Sequence, residues 1–342
     1  MLFSWVTEHI TCPPSLKLKA SWTFSSSTMA NNLSDQNETL FPCSYDPSLL
    51  LQVPPDLYYT YIVTAAFNAV FSLTAFIGNA LVLTALVKTR ALHSPSKALL
   101  RSLALSDLFV GLFVQPVYIA YCLSGVVGNS WIRCTSWIVY PLLSDYFVAV
   151  SFFTMITISI DRFLALHLRA RYRSVVTIKK ANITVLSLWI TSLIFPIARL
   201  LAGKITIVLS VSSFSLFIVV PTFTHFKIQR MLRRQERQVF NQFNQFYLHR
   251  EESYLSINKY KKSVAAMRYV YVVLMLCYIP ITCVAILYVK NDSSPLILLS
   301  LGHFAFTLLF VNSSLNPILY CWQIRQVRAA MWMLINNLNP CC

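Results

Sequence analysis

Charge is what this chain has least of. Only 12% of its 342 residues are Asp, Glu, Lys or Arg, about half the share of a soluble domain. Acids are scarcer than bases, 12 against 28, which gives a net charge of +16. Glycine is rare as well, with six in all, so there is no phosphate-cradling Gly-rich loop. The six His include no metal-spaced pair, and no catalytic set of acids or nucleophiles is present, so an enzyme is not expected. The nine Cys are scattered and do not form a disulfide framework. The opening Met1-Leu2-Phe3-Ser4 lacks the positive region of a cleavable signal peptide. The first apolar span is therefore expected to serve as signal anchor, and Met29 is an alternative start.

Long apolar runs are what is there. The chain is 56% hydrophobic, with a mean hydropathy of +0.60. Seven spans can be read, at 58–87, 97–123, 133–166, 179–201, 206–233, 263–289 and 295–321. Each exceeds the ~20 residues a helix needs to cross ~30 Å of hydrocarbon. The runs are continuous and do not alternate, which excludes a β-barrel. The fold class expected is an all-α membrane protein: a seven-transmembrane helix bundle over 58–321, after a disordered outer tail over 1–57. Residues 322–342 are expected to form a short interfacial helix and cytoplasmic tail, because Trp322-Gln323-Ile324-Arg325-Gln326-Val327-Arg328 sets basic residues between apolar ones at helical spacing.

Where the bases fall decides what the +16 means. Lys88, Arg90, Lys97 and Arg101 flank the first inner loop. Arg162, Arg169, Arg171, Arg173, Lys179 and Lys180 flank the second, and a further group lies between Lys227 and Arg268. This is the positive-inside pattern, with an outer N-terminus and a cytoplasmic C-terminus. It accounts for the charge without nucleic acid. The sequons at Asn32 and Asn37 lie on the predicted outer side, as does a third at Asn291. Cys341 and Cys342 end the chain beside the inner leaflet, where acylation is expected.

The polar residues inside the spans carry the functional signal. A carboxylate in hydrocarbon costs at least ~2.5 kcal/mol on insertion scales, which marks Asp107 as functional by default. It stands in Leu103-Ala104-Leu105-Ser106-Asp107-Leu108; Gly78-Asn79 precedes it and Asp161-Arg162-Phe163 follows. The seventh span carries Asn312-Ser313-Ser314-Leu315-Asn316-Pro317-Ile318-Leu319-Tyr320. In this order and spacing the motifs resemble those of the rhodopsin-like (class A) G-protein-coupled receptors, over roughly 58 to 337.

The resemblance implies a receptor in the plasma membrane that takes an extracellular ligand and acts on a heterotrimeric G protein. It implies no enzymic cofactor. Asp107, Ser151, Asn312 and Asn316 match the positions that hold a hydrated Na+ in such receptors, and a hard cation asks for such oxygen ligands. Arg162 matches the arginine that its neighbouring Asp161 restrains and that meets the G protein on release; Phe163 replaces the usual Tyr. The acidic residue that often adds a second restraint is replaced by Tyr260, between Lys259 and Lys261, which leads us to expect raised basal activity. Cys277-Tyr278-Ile279-Pro280 resembles the hinge of the sixth helix, with Tyr278 in place of Trp and Leu274 in place of Phe. Pro280 and Pro317 each remove a backbone donor and permit a kink, and Tyr320 is expected to exchange hydrogen-bond partners.

The ligand is narrowed by exclusion. Phe310 stands where an opsin has its retinal lysine. Ser144 stands where amine receptors have Asp, and Asp145 is one helical step of ~100° away. Asp145 is left either to face the pocket with Tyr146 or to pair with a polar neighbour. Ala285 replaces the adenosine-receptor Asn. The second outer loop is reduced to Ala202, Gly203 and Lys204, which resembles the melanocortin, cannabinoid, lysolipid and adenosine cluster and leaves the pocket open to peptides or lipids. That loop has no cysteine, so either Cys43 or Cys122 is left to pair with Cys134. Arg133, Arg199, Lys204 and Lys290 are expected at the outer rim, where they suit an anionic group or snorkel to the interface. Two other classes stay in view: a receptor-like protein that does not couple, and a transporter or channel, against which stands the lack of an inverted repeat.

Overall fold

The computed structural model describes residues 53–88, 94–168, 171–201, 203–241, 272–273, 275–284, 287, 295–323 and 325–338. Among these the regular structure is helical throughout. The bundle begins with α1 (Tyr58–Lys88) and α2 (Ser94–Val127), followed by α3 (Ser130–Leu168) and α4 (Ile178–Leu201). Then come α5 (Gly203–Asn241), a described piece of α6 (Met275–Val284), α7 (Pro295–Gln323) and the short α8 (Arg325–Leu338). Among the described residues, five helices are long and apolar enough to cross a membrane: α1 (counted there from Pro55), α2, α3, α4 and the Leu296–Leu319 part of α7. Each matches a span read from the sequence. The sixth span falls mostly outside the described residues.

These helices are apolar on nearly every side, as expected where lipid replaces water. Polar groups therefore find partners inside the bundle. Thr64, Ser136, Ser192 and Thr307 each donate to a carbonyl four residues back, a bond that leaves the helix intact. α7 packs along α1, α3 is flanked by α2 and α5, and α8 folds back on α1 and α7. The Trp189 indole of α4 donates to Ser102 of α2 at 2.9 Å, and Ser102 lies 3.3 Å from Thr154 of α3. One polar contact thus fixes three helices.

Two details correct the expected boundaries. The first helix is preceded by a 3₁₀ turn over Pro55–Leu57, and Val53 and Leu57 are buried against Tyr61 and Tyr121. Order therefore starts before 58, because these apolar side chains have a core to enter. The second outer connection is shorter than three residues: α4 ends at Leu201 and α5 starts at Gly203.

Inside α2, Val110–Val114 form a π-turn, which the sequence analysis did not anticipate. Its cause is local. Pro116 has no N–H, so the regular ladder fails there, and Gln115 N–H instead bonds the carbonyl of Val110. Ser72 of α1 donates to the carbonyl of Gly111 at 2.6 Å. A Cβ on Gly111 would lie 2.8 Å from the backbone nitrogen of Phe76, so only glycine lets α1 and α2 approach this closely. The π-turn rotates the outer half of α2 relative to the half that carries Asp107.

Candidate functional site

The midplane site forms around Asp107. One carboxylate oxygen accepts from Ser313 Oγ at 2.9 Å and from Ser151 Oγ at 3.3 Å; the other accepts from Asn316 Nδ2 at 2.6 Å. Ser106 lies 2.8 Å from Ser151. Asp107 of α2 is fully buried, and hydroxyl and amide groups from α3 and α7 converge on it. Asp107, Ser151 and Asn316 are thus brought together as expected. Asn312 is buried on the same helix, but among the described residues its amide makes no bond to Asp107. Its neighbour Ser313 does so instead. Ser313 and Ser106 were not among the residues expected at this site, although both sit inside the motifs around Asp107 and Asn316.

Asn79 ties this site to α1, donating to the carbonyls of Ala75 and Ser313 at 2.9 and 3.0 Å. Gly78 makes room for the Pro317 ring of α7, since a Cβ there would lie 2.8 Å from Pro317 Cγ. Above the carboxylate, Tyr278 of α6 packs against Phe152 of α3 with ring centres 5.4 Å apart, and Pro280 is half-buried. The side chain of Tyr320 lies outside the described residues.

At the inner end of α3, Asp161 lies 3.6 Å from Arg162. Its oxygens accept from Ser96 Oγ at 2.9 Å and from the Tyr172 hydroxyl at 2.5 Å. Burial, and then the bond to Asp161, push Tyr172 up to about 12. Tyr172 begins a single helical turn, Tyr172–Val175, in the connection between α3 and α4. Arg162 Nε is buried without a hydrogen bond, so the guanidinium has donor capacity to spare. Phe163 stacks on His167 at 5.6 Å. Tyr260, with its flanking lysines, lies outside the described residues.

At the outer end, Ser144 and Asp145 are both buried on α3. Arg199 Nε of α4 donates to Asp145 at 2.5 Å, and both side chains are shielded from solvent. Of the two settings left open for Asp145, pairing is the one found, and Arg199 is an interior partner where a rim position was expected. Phe310 is fully buried and packs edge-on to Tyr118 at 5.5 Å. Arg133 is also buried, at 6% exposure, where the rim expectation placed it in reach of solvent. Its guanidinium lies over the rings of Tyr121 and Tyr61, at 4.8 and 5.4 Å.

Cys134 is disulfide-bonded, whereas Cys122 is a free, buried thiol. Of the two partners expected for Cys134, Cys122 is therefore not used. Cys43 lies outside the described residues, as do Asn32, Asn37, Leu274, Ala285, Lys290, Cys341 and Cys342. The same holds for the side chain of Lys204.

Comparison with known proteins agrees with this geometry. Residues 78–205 match the family described as 7 transmembrane receptor (rhodopsin family). Dopamine receptor 2 of Drosophila melanogaster is 33% identical over 128 residues, which is 37% of this chain and 23% of that protein. The 5-hydroxytryptamine receptor 1D of Cavia porcellus is 28% identical over 164 residues, 48% of this chain and 41% of the relative. The 5-hydroxytryptamine receptor 1F of Rattus norvegicus is 30% identical over 173 residues, 49% and 42% of the two chains. The chain thus spans less than half the length of these relatives. The crystal structure of squid rhodopsin superposes with a TM-score of 0.70 at 18% identity, covering 89% of this chain and 94% of that one. The rhodopsin-like resemblance read from the motifs is shown over 78–205 by sequence, and the fold is the seven-transmembrane helix bundle. These relatives are named for dopamine and 5-hydroxytryptamine, whereas the loop pattern pointed to the melanocortin, cannabinoid, lysolipid and adenosine cluster.

Proposed function

We propose that this chain, rhodopsin-like in its 78–205 segment and in its fold, is a G-protein-coupled receptor that transduces an extracellular ligand to a heterotrimeric G protein. The observation that carries the reading is the restrained Arg162: its neighbour Asp161 is held by Ser96 and Tyr172 at the inner end of α3. An arginine with spare donors, tethered by a carboxylate that itself has two other partners, is a contact that can open and then be used elsewhere. Ligand binding acts by population shift, favouring the state in which α6 swings out and Arg162 is free. A coupling of about 1–3 kcal/mol between the two ends is typical of such systems.

Within this reading, Asp107 with Ser151, Ser313 and Asn316 forms the seat of an allosteric Na+; Asn312 completes its wall. The outer pocket is lined by Ser144, Asp145 and Phe310. With Asp145 bonded to Arg199, α3 presents no carboxylate free for an amine, which sets this pocket apart from that of the aminergic relatives. Pairing of Cys134 with Cys43 and glycosylation at Asn32 and Asn37 belong to an outer N-terminus. Acylation at Cys341 and Cys342 belongs to an inner C-terminus in the plasma membrane. The protein is a transducer and not an enzyme.

The test is basal and Gα-resolved signalling in transfected cells, wild type against Arg162→Ala, at matched surface expression. A basal signal abolished by Arg162→Ala supports coupling and names the G protein. A surface-expressed wild type that stays silent with every Gα, at baseline and against peptide, lipid and small-molecule panels, favours the non-coupling alternative.

A further inference from the structure

We propose that the outer end of the bundle binds the carboxylate of an aromatic acid through the Arg133 guanidinium, a site that deepens the receptor reading by naming its ligand class. Arg133 is 6% exposed, yet among the described residues no carboxylate pairs with it. Its Nη1 is fully enclosed and makes no hydrogen bond. The rings of Tyr121 and Tyr61, 4.8 and 5.4 Å from the guanidinium carbon, meet the face of the cation. Stacking satisfies the face only; the N–H donors lie in the plane and point past the rings. A buried guanidinium N–H without an acceptor fits a carboxylate oxygen, which takes a charge-assisted bond from it.

The surroundings are arranged to hold the cation there. A Cβ on Gly125 of α2 would overlap Arg133 Nη1, so the absence of a side chain at 125 is what admits the guanidinium. The Tyr118 hydroxyl lies 2.6 Å from His303 Nδ1, and the His303 ring stacks on Tyr121 at 6.2 Å. These contacts fix the aromatic floor across α1, α2 and α7. Trp137 and Tyr140 extend it along α3, with ring centres 5.4 and 5.3 Å from Tyr121. Asp145, the carboxylate nearest along α3, is already bonded to Arg199. A cation enclosed as Arg133 is, with no carboxylate beside it among the described residues, carries a desolvation penalty that an incoming anion relieves. The rings beside it are neutral, so the charge of the ligand decides selectivity.

Indole-3-acetate and tryptamine carry the same ring with opposite charge, and serve as the probes. Binding is measured by thermal shift and equilibrium titration on the purified full-length protein without G protein. Indole-3-acetate is expected to bind and tryptamine not to bind. Arg133→Gln is expected to weaken the acid about tenfold to a hundredfold. Arg133→Lys keeps the charge but loses the fork, and is expected to fall between the two. Gly125→Ala keeps the arginine and displaces it, and is expected to weaken the acid at unchanged surface expression; this variant carries the test where Arg133→Gln fails to fold. Tryptamine binding in preference to the acid, acid binding that both variants leave unchanged, or no binding of the acid at millimolar concentration overturns the proposal. Because G protein is left out, such a failure leaves the receptor reading standing, and a silent basal assay leaves this site standing.

Discussion

Asp145 and Arg199 show how a single pair of side chains redirects a pocket. Asp145 is buried and Arg199 largely shielded, and the two are bonded to each other in a low-dielectric interior. Removing one partner strands a buried charge, which typically costs about 3–5 kcal/mol, whereas replacing both by apolar groups of similar volume is often neutral. Asp145→Leu and Arg199→Leu are each expected to lower the melting temperature of the purified protein steeply, and the double variant to recover most of the loss. A double variant as unstable as the sum of the singles would show that the two act separately. Tyr172 is a second case. Its folded value of about 12 lies above the ordinary 10.0, so folding favours the protonated, donating form. That contribution is fully present below about pH 10 and is lost only as pH rises towards 12. The hold on Asp161 is therefore constant across the physiological range. Tyr172→Phe deletes it at any pH, and a hydrogen bond to a charged group is worth about 1.5 kcal/mol or more, roughly tenfold in a two-state population. Basal signalling is expected to rise in Tyr172→Phe at equal surface expression; an unchanged or lower basal signal would assign the restraint to Ser96 and Arg162 alone.

The elements were legible in the sequence because lipid imposes a length on each of them. The starts and ends of α1, α3, α4 and α7 fall close to the apolar runs at 58–87, 133–166, 179–201 and 295–321. The π-turn of α2 was not legible. Pro116 announces a disturbance, but whether the helix kinks, breaks or takes an extra residue depends on Ser72 being opposite to satisfy the carbonyl of Gly111. Ser313 was missed for a similar reason. Asn312 and Ser313 are one helical step apart, and the rotation of α7 against α2, which sequence alone does not fix, decides which of them faces Asp107. Arg133 was read as a rim residue because a charged side chain near a helix end usually snorkels; the aromatic cluster that encloses it comes from three other elements. Gly111→Ala tests the α1–α2 seam directly. The added methyl meets backbone, which cannot rotate aside, and overpacking of this kind costs about 1–3 kcal/mol. Melting temperature and surface expression are both expected to fall. Ala at Gly128, where nothing lies within 4 Å but φ is +79°, is expected to act through local strain alone and to leave the seam intact.

The whole molecule links its two ends through the midplane carboxylate. Asp107 draws Ser151 of α3 and Ser313 and Asn316 of α7 onto one site, below the contact of Tyr278 with Phe152 and within the helix that leads to the α7 kink. Any outward movement of α6 or straightening of α7 must change the distances among these groups. On the proposed reading, a cation on the carboxylate would favour the spacing in which the oxygens converge, and so would act as a ligand for the restrained state. A ligand shifts an equilibrium only by its differential affinity for the two states, so the effect of Na+ must vanish when the carboxylate is gone. Replacing NaCl with choline chloride at constant ionic strength, in membranes that carry wild type and its G protein, is expected to raise basal nucleotide exchange. In Asp107→Asn the exchange rate is expected to be the same in either salt. Constant ionic strength separates ion binding from screening, because charges at the surface respond to both salts alike. If Asp107→Asn retains the Na+ response, the ion acts elsewhere, and the cluster is a structural knot that holds α2, α3 and α7 in register.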